Sequence, residues 1–466
     1  MQESDSLTSR SNDGPALRRV LGRWDLTAIG INQVIGGAIF LVPAQIFLHL
    51  GAWSPFAIVG VGLCSILVVL CFAESGSRFE STGGAYLYTR QAFGRFVGLE
   101  VAWMQWFTRV TSLASVANGI VMAMGFYLPA AGSGFLRIAI ITVITAVLTL
   151  VNIWGVKQSA SLVNTLTVAK LVPLIGLILL GALHFRSFAY PAFTHVSRSD
   201  VTVATLLLVF TFGGFDVIGI PAGEAKSPRR DIPFAFLASV IGVTLIFTLL
   251  QLILMGAYPG LATSQTPVAD VMQQFTGPAG ALFVGAGAVL SMIGNNAGQI
   301  LSGSRILFAL AKRGELPSAF ARVHAEYRTP TNAIIVTAAV ALTLALTGSF
   351  VWLAAVSAIA RLTAYAGTAA ATMKLRRMDM DRKEQVPPAT FVIPGGATVP
   401  ILALATSVLI LAGATRDQLI SGTIALVVGA LLFAISSRSW TVPDPTAGIA
   451  HLTEVPTPQG GTHVVD

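Results

Sequence analysis

The sequence predicts an all-α integral membrane protein of twelve transmembrane helices, arranged as a five-plus-five inverted repeat with broken helices 1 and 6, plus two additional helices. Three observations predict it. Only 11% of the 466 residues are charged, against about 25% in a soluble chain. Twelve apolar runs approach the roughly 20 residues that a helix needs to cross a bilayer core. Two glycine pairs, Gly36-Gly37 and Gly213-Gly214, interrupt the first and sixth of these runs. Unwinding a helix in lipid strands its N–H and C=O groups, so such breaks survive only where the freed groups face protein, a cavity or a ligand.

In chain order, residues 1–25 form a cytoplasmic N-terminal tail, too polar over 1–23 for a secretory leader. The spans then fall at about 26–48, 55–75, 96–127, 136–154, 160–183, 201–221, 232–257, 279–311, 331–348, 350–373, 399–415 and 418–436. Basic residues mark every second loop: Arg78, Arg90 and Arg95 follow span two, Lys226, Arg229 and Arg230 follow span six, and Lys374, Arg376 and Arg377 follow span ten. The loops at 128–135 and 258–278 carry no Lys or Arg. The positive-inside rule therefore puts both termini in the cytoplasm. The loop 184–200 fits less well, because Arg186 and Arg198 lie on the side expected outside. The net charge of +8 reflects topology, not nucleic-acid binding. Residues 83–88 lead into 89–94, which read as a short helix along the inner interface with either an anchoring or a gating role; 264–278 read as an external lid helix and 437–466 as a disordered cytoplasmic tail rich in Pro.

Spans one to five, residues 26–183, and six to ten, residues 201–374, read as two copies of one unit. Five is odd, so the second copy enters the membrane from the opposite side. Broken helices in corresponding positions of such repeats are the best sequence pointer to a transport site near the midplane. Spans 11 and 12, residues 399–436, lie outside the repeat and read as a lipid-facing or oligomer-facing pair.

The chain resembles the amino acid–polyamine–organocation transporter superfamily, in particular its bacterial amino acid permeases. The likeness covers roughly residues 20–380. It rests on IGGAIF in span one, GGAYLY after span two, VAKLVP in span five, FTFGGFD in span six and SRILFALAKRGELP closing span eight. It implies the inverted-repeat fold and the movement of amino acids or amines, often with protons or by exchange. One departure matters. The family usually has Gly at the third position of the span-one motif, where this chain has Ala38, whose Cβ narrows the approach to a ligand.

An α-amino acid is a zwitterion, so its site needs donors for a carboxylate and acceptors for an ammonium. Free N–H groups after Ile35, at Gly36, Gly37 and Ala38, would face the carboxylate at the positive end of a helix dipole. Free carbonyls at Phe210, Thr211 and Gly213 would accept from the ammonium, and the resemblance implies the same assignment. Phe212 and Phe215 flank the break; Phe215 is the candidate gate, set against ordinary packing. Lys170 lies about eight residues into span five, roughly 12 Å along the helix and beyond easy snorkelling. Burial penalises its ammonium, which makes proton release and rebinding during transport feasible. Family members with a Lys here use it in place of a sodium ion. The alternative is a permanently charged strut.

Arg109 in span three and Asp216 in span six are the other interior charges, readable as a structural pair or as an Arg109–substrate contact. Arg361, Glu100 and Asp25 lie nearer the membrane edges or in registers the sequence leaves open. Asn295 and Asn296 either support Lys170 and line the site, or simply bond helix to helix. No His lies deep in a span, which argues against a metal site, and no phosphate-binding Gly-rich loop with Lys-Ser/Thr is present, which argues against an ATP-driven pump.

The leading reading is a secondary transporter, not an enzyme, with no cofactor. Its partners are an amino acid substrate, protons and the lipid bilayer of the cytoplasmic membrane. No cluster of interior acids points to a polyamine or strongly cationic ligand; the small residues around the breaks, with nearby Phe, favour a neutral L-amino acid, and an interior Arg leaves an acidic one open. The alternatives are an amino acid exchanger, a polyamine or organic amine transporter, and a non-transporting sensor.

Overall fold

The computed structural model describes residues 19–125, 128–184, 190–264, 266–381, 386–412 and 416–439. The expected tails fall almost wholly outside these residues, as does Arg186. Among the described residues every regular element is helical, and one isolated β-bridge joins Leu21 to Ala225. Among the described residues six stretches are long and apolar enough to cross a membrane: Val42–Gly76, Gly134–Trp154, Val163–Leu183, Pro228–Ala257, Pro278–Lys312 and Leu419–Ser436. Phe135, Leu183 and Leu409 are 83%, 81% and 74% exposed, a distribution that suits hydrocarbon rather than water.

The first apolar run forms two short helices, α1 (Arg23–Val34) and α2 (Ala38–Leu50). Neither alone reaches membrane length. The chain continues through α3 (Ser54–Gly76), the short α4 (Ala85–Phe93), and α5 (Arg95–Gly125). Next come α6 (Gly134–Trp154), α7 (Val156–Leu183) and α8 (Arg198–Phe212). The expected span 201–221 is therefore not one α-helix. It stops at Phe212, and 3₁₀ turns at Phe215–Gly219 and Ala222–Glu224 replace its second half. The reason is local: Gly214 has φ +123, which ends a right-handed helix, and Pro221 removes a donor further on.

The remainder comprises α9 (Pro228–Ala257), α10 (Pro267–Thr276), α11 (Pro278–Lys312), α12 (Thr331–Thr347), α13 (Phe350–Asp381), α14 (Thr398–Ala412) and α15 (Arg416–Ser439). Helices α5, α11 and α13 carry the polar interior. α13 packs along α5, and α11 packs on both α5 and α7. α5 and α13 are 31 and 32 residues long, and polar and charged residues interrupt the apolar character of both. Their inward faces hold Arg109, Ser112, Ser357 and Arg361, all buried.

Candidate functional site

At the first break α1 loses its register after Val34. Gly36 donates to Val34 O at 2.9 Å, a tight turn, and α2 restarts at Ala38. Gly36 N–H is thus engaged, which corrects the expectation that it is free. The N–H groups at the start of α2, at Gly37 and Ala38, lack a preceding helical turn and border a cavity of about 50 Å³. The stranded carbonyls on the other side of the break have partners from other helices. Lys170 Nζ donates to Asn32 O at 3.0 Å and Ile35 O at 2.5 Å. Ser291 Oγ lies 3.1 Å from both Ile35 O and Gly36 O, and Asn295 Nδ2 donates to Gln33 O at 2.9 Å. A cation at a helix C-terminus also opposes the negative end of the dipole. Lys170, fully buried on α7, therefore braces α1 from one side while α11 braces it from the other.

The side chains of α1 complete this seam. Asn32 Nδ2 donates to Gly294 O at 2.5 Å, and Gln33 Nε2 donates to Asn295 O at 2.8 Å. Gly294 and Gly298 leave the room, since a Cβ at either would collide with the Asn32 or Gln33 amide.

The second break lies against the first. A Cβ on Gly214 would stand 2.7 Å from Gln33 O and 2.9 Å from its carbonyl carbon, so backbone meets backbone there. A Cβ on Gly213 would collide with the Arg361 guanidinium. Arg361 is only 6% exposed and lines the cavity with Gln33, Ser112, Asn295 and Gln299. Its register, left open by the sequence, is set by α13, which carries it to the meeting point of the two breaks.

The sequence-derived residues divide clearly. Gly36, Gly37, Ala38, Thr211, Gly213 and Asn295 line the cavity, and Ile35 contributes its carbonyl to Lys170. Thr211 bonds back to Leu207 O at 2.7 Å. Phe210 lies in α8, its side chain outside the described residues. Phe212 packs on Phe247, and Phe215 stacks on Tyr365 with ring centroids 4.9 Å apart; neither lines this cavity. Asn296 is buried but does not line it. Arg109 Nη2 sits 2.6 Å from Asp216 Oδ2, with both side chains buried, and Tyr365 Oη lies 3.4 Å from Asp216 Oδ1. Arg109 does not line the cavity. Glu100 is far from this cluster, its carboxylate against Gly429 of α15.

Sequence reasoning missed Gln33, Ser291, Gln299 and Arg361. The first three offered one signal, an uncharged polar residue within an apolar run.

Away from the cavity, on the face bearing the basic loops, a second set of bonds ties the segments together. Arg305 makes 3.1 and 3.0 Å bonds to Glu224 Oε1, and Leu21 N and Lys226 N bond Glu224 O and Leu21 O. Arg90 Nη1 reaches Glu315 Oε1 at 2.6 Å. Burial pushes the Glu315 carboxyl above its ordinary range, and Arg90 opposes that push.

A helical membrane protein with two interrupted helices meeting over a polar cavity has the architecture of a substrate carrier. The comparison with known families makes this specific. The chain belongs to the amino acid permease family, whose model matches residues 21–441. It is 24% identical to the branched-chain amino acid permease BcaP of Bacillus subtilis, over 93% of this chain and 96% of that one. It is 26% identical to the serine/threonine exchanger SteT of the same organism, over 89% and 95%. It is also 24% identical to the methylthioribose transporter of that organism, over 92% and 96%. The chain is thus a multi-pass membrane transporter of the amino acid permease family, not an enzyme.

Proposed function

We propose that the chain is a secondary active transporter of an L-amino acid, working by alternating access in the cytoplasmic membrane with both termini inside. In this reading α1 with α2 and α8 with the turns after it are the broken first and sixth spans of a five-plus-five inverted repeat. Residues 26–183 and 201–374 are the two copies, and 399–436 add spans 11 and 12. The substrate occupies the cavity between the breaks, and residues 1–25 and 437–466 are cytoplasmic tails.

The observation that carries the reading is Lys170 Nζ bonded to Asn32 O and Ile35 O. A protonated Lys170 offers three donors and a charge to the end of α1. Loss of the proton removes the charge and one donor, and the hold on α1 weakens. Proton binding and the position of α1 are then coupled in both directions, as linkage requires. Substrate binding at the N–H groups of Gly37 and Ala38 biases the same element from the other side of the break. Phe215, packed on Tyr365 beneath the break, is the candidate gate.

The relatives' names include branched-chain amino acids, serine or threonine, and a methylthioribose, so the family leaves the substrate open. SteT is an exchanger by name, and exchange is the second reading. Purified protein in liposomes separates the two. Accumulation of labelled amino acid driven by an imposed proton gradient supports symport. Counterflow without gradient-driven accumulation supports exchange. Neither activity with any amino acid would sink the proposal.

A further inference from the structure

The cavity between the breaks holds a charge that the proposed zwitterion site does not need. Backbone alone can bind the α-carboxylate and α-ammonium of an amino acid, yet α13 delivers the Arg361 guanidinium to the cavity wall. Arg361 pairs with no carboxylate among the described residues. Asp216 is taken by Arg109 Nη2 and Tyr365 Oη. Arg361 Nη2 donates a long hydrogen bond to Ser112 Oγ at 3.4 Å, and its Nε is buried without a partner among the described residues. A guanidinium so withdrawn from water is costly unless an anion joins it.

The other groups on the wall have the complementary shortage. Gln33 Oε1 and Gln299 Oε1 are buried acceptors without partners, and both residues line the same cavity. Their amide orientations follow from their own donors, because Gln33 Nε2 is used on Asn295 O and Gln299 Nε2 faces Asn295 Oδ1 at 3.4 Å. The N–H groups at the start of α2 supply the third element. One wall thus presents backbone donors for a carboxylate, two free carbonyl acceptors for an ammonium, and a guanidinium for a further anion.

We infer that the substrate is an α-amino acid with an anionic side chain, a dicarboxylic amino acid such as L-aspartate or L-glutamate, and that Arg361 is the residue that selects it. This rests on the transporter reading above and replaces the expectation of a neutral ligand. That expectation rested on the small residues and Phe around the breaks, with an acidic ligand left open by an interior Arg; the decisive group is the unpaired base Arg361. The planar fork of Arg matches a carboxylate through two parallel bonds. A neutral amino acid would leave it stranded, and a cationic one would be repelled.

The test uses the purified full chain in liposomes and compares pairs of equal size and unequal charge: L-glutamate with L-glutamine, and L-aspartate with L-asparagine. In counterflow the acids should outcompete their amides on the order of 100-fold, because a site built around a buried polar group rejects ligands that leave it unpaired. Arg361→Gln should erase that ratio while uptake of the amides persists, and Arg361→Lys should keep the preference for acids at weaker affinity. A role confined to packing would lower all four substrates alike and leave the ratios intact. Wild-type preference for the amides overturns the inference, as does an unchanged ratio in Arg361→Gln. If Arg361→Gln fails to fold, the wild-type ratios and Arg361→Lys still decide. Counterflow of neutral amino acids alone would remove the acidic substrate and leave the transporter reading standing. Absence of counterflow with any amino acid would remove both.

Discussion

Replacing Asp216 by Asn should destabilise the protein more than replacing Arg109 by Met, and the double replacement should recover part of the loss. Arg109 and Asp216 are 0% and 1% exposed and 2.6 Å apart. Removing one partner of a buried pair costs about 3–5 kcal/mol, because the other charge is left uncompensated, whereas removing both can be nearly neutral. The surroundings make the two singles unequal. Without Asp216, the buried Arg109 guanidinium keeps no carboxylate and still feels the like charge of Arg361, which puts Asp216→Asn near the upper figure. Without Arg109, Asp216 keeps the Tyr365 hydroxyl at 3.4 Å, so Arg109→Met falls near the lower one. An unfolding entropy of about 2.1 cal/mol/K per residue over 466 residues turns these into drops of roughly 3–5 °C. The double variant should show a coupling of about 0.5–3 kcal/mol. Thermal unfolding of purified protein in detergent, followed by intrinsic fluorescence, gives all four values under one condition. Strictly additive losses would refute the pair as a structural unit. A smaller drop for Asp216→Asn than for Arg109→Met would refute the reasoning about Arg361.

The other predictions address the breaks, the proton and the basic face. Lys170→Ala should lose accumulation driven by a proton gradient while retaining counterflow; wild-type accumulation in that variant would remove Lys170 from coupling. Gly214→Ala should abolish uptake and lower expression, because φ +123 strains any Cβ and Gln33 O stands 2.7 Å away. Gly37→Val should abolish binding without unfolding. Its φ of −71 is ordinary, and a Cβ meets only the flexible end of Met292 at 2.9 Å, so the added bulk enters the cavity. Normal ligand-induced stabilisation in purified Gly37→Val would refute that placement. Glu315 carries a pH signature. Its carboxyl is pushed upward from 4.5, first by burial, so the folded state holds the proton more tightly than the unfolded one. Its contribution to stability therefore falls as pH rises from 4.5 towards the raised value, then levels. Glu315→Gln should flatten that slope in a pH series of melting temperatures; an unchanged slope would assign it elsewhere.

The sequence by itself determined the class of this protein, because each deciding signal is local. A 20-residue apolar run needs no partner to declare a preference for lipid, and a Gly pair inside such a run marks where a helix yields. Lys170 was legible for the same reason: a charge eight residues into a span has no route to water. Where a side chain points across the bundle is not local, and there tertiary structure decided. Arg361 sits in the middle of its apolar run in sequence, but only the packing of α13 shows that it comes against Gly213, 148 positions away by numbering. Gln33 and Gln299 look like ordinary polar interruptions until α1 and α11 pack together. Only then does each spend its amide donor on Asn295 and leave an oxygen facing the cavity. The Gly36 N–H was misread because a break was taken to free every group in it, whereas the turn recaptures one through Val34 O. Whether a buried charge is balanced depends on all the helices around it, and that sum exists only in the assembled fold.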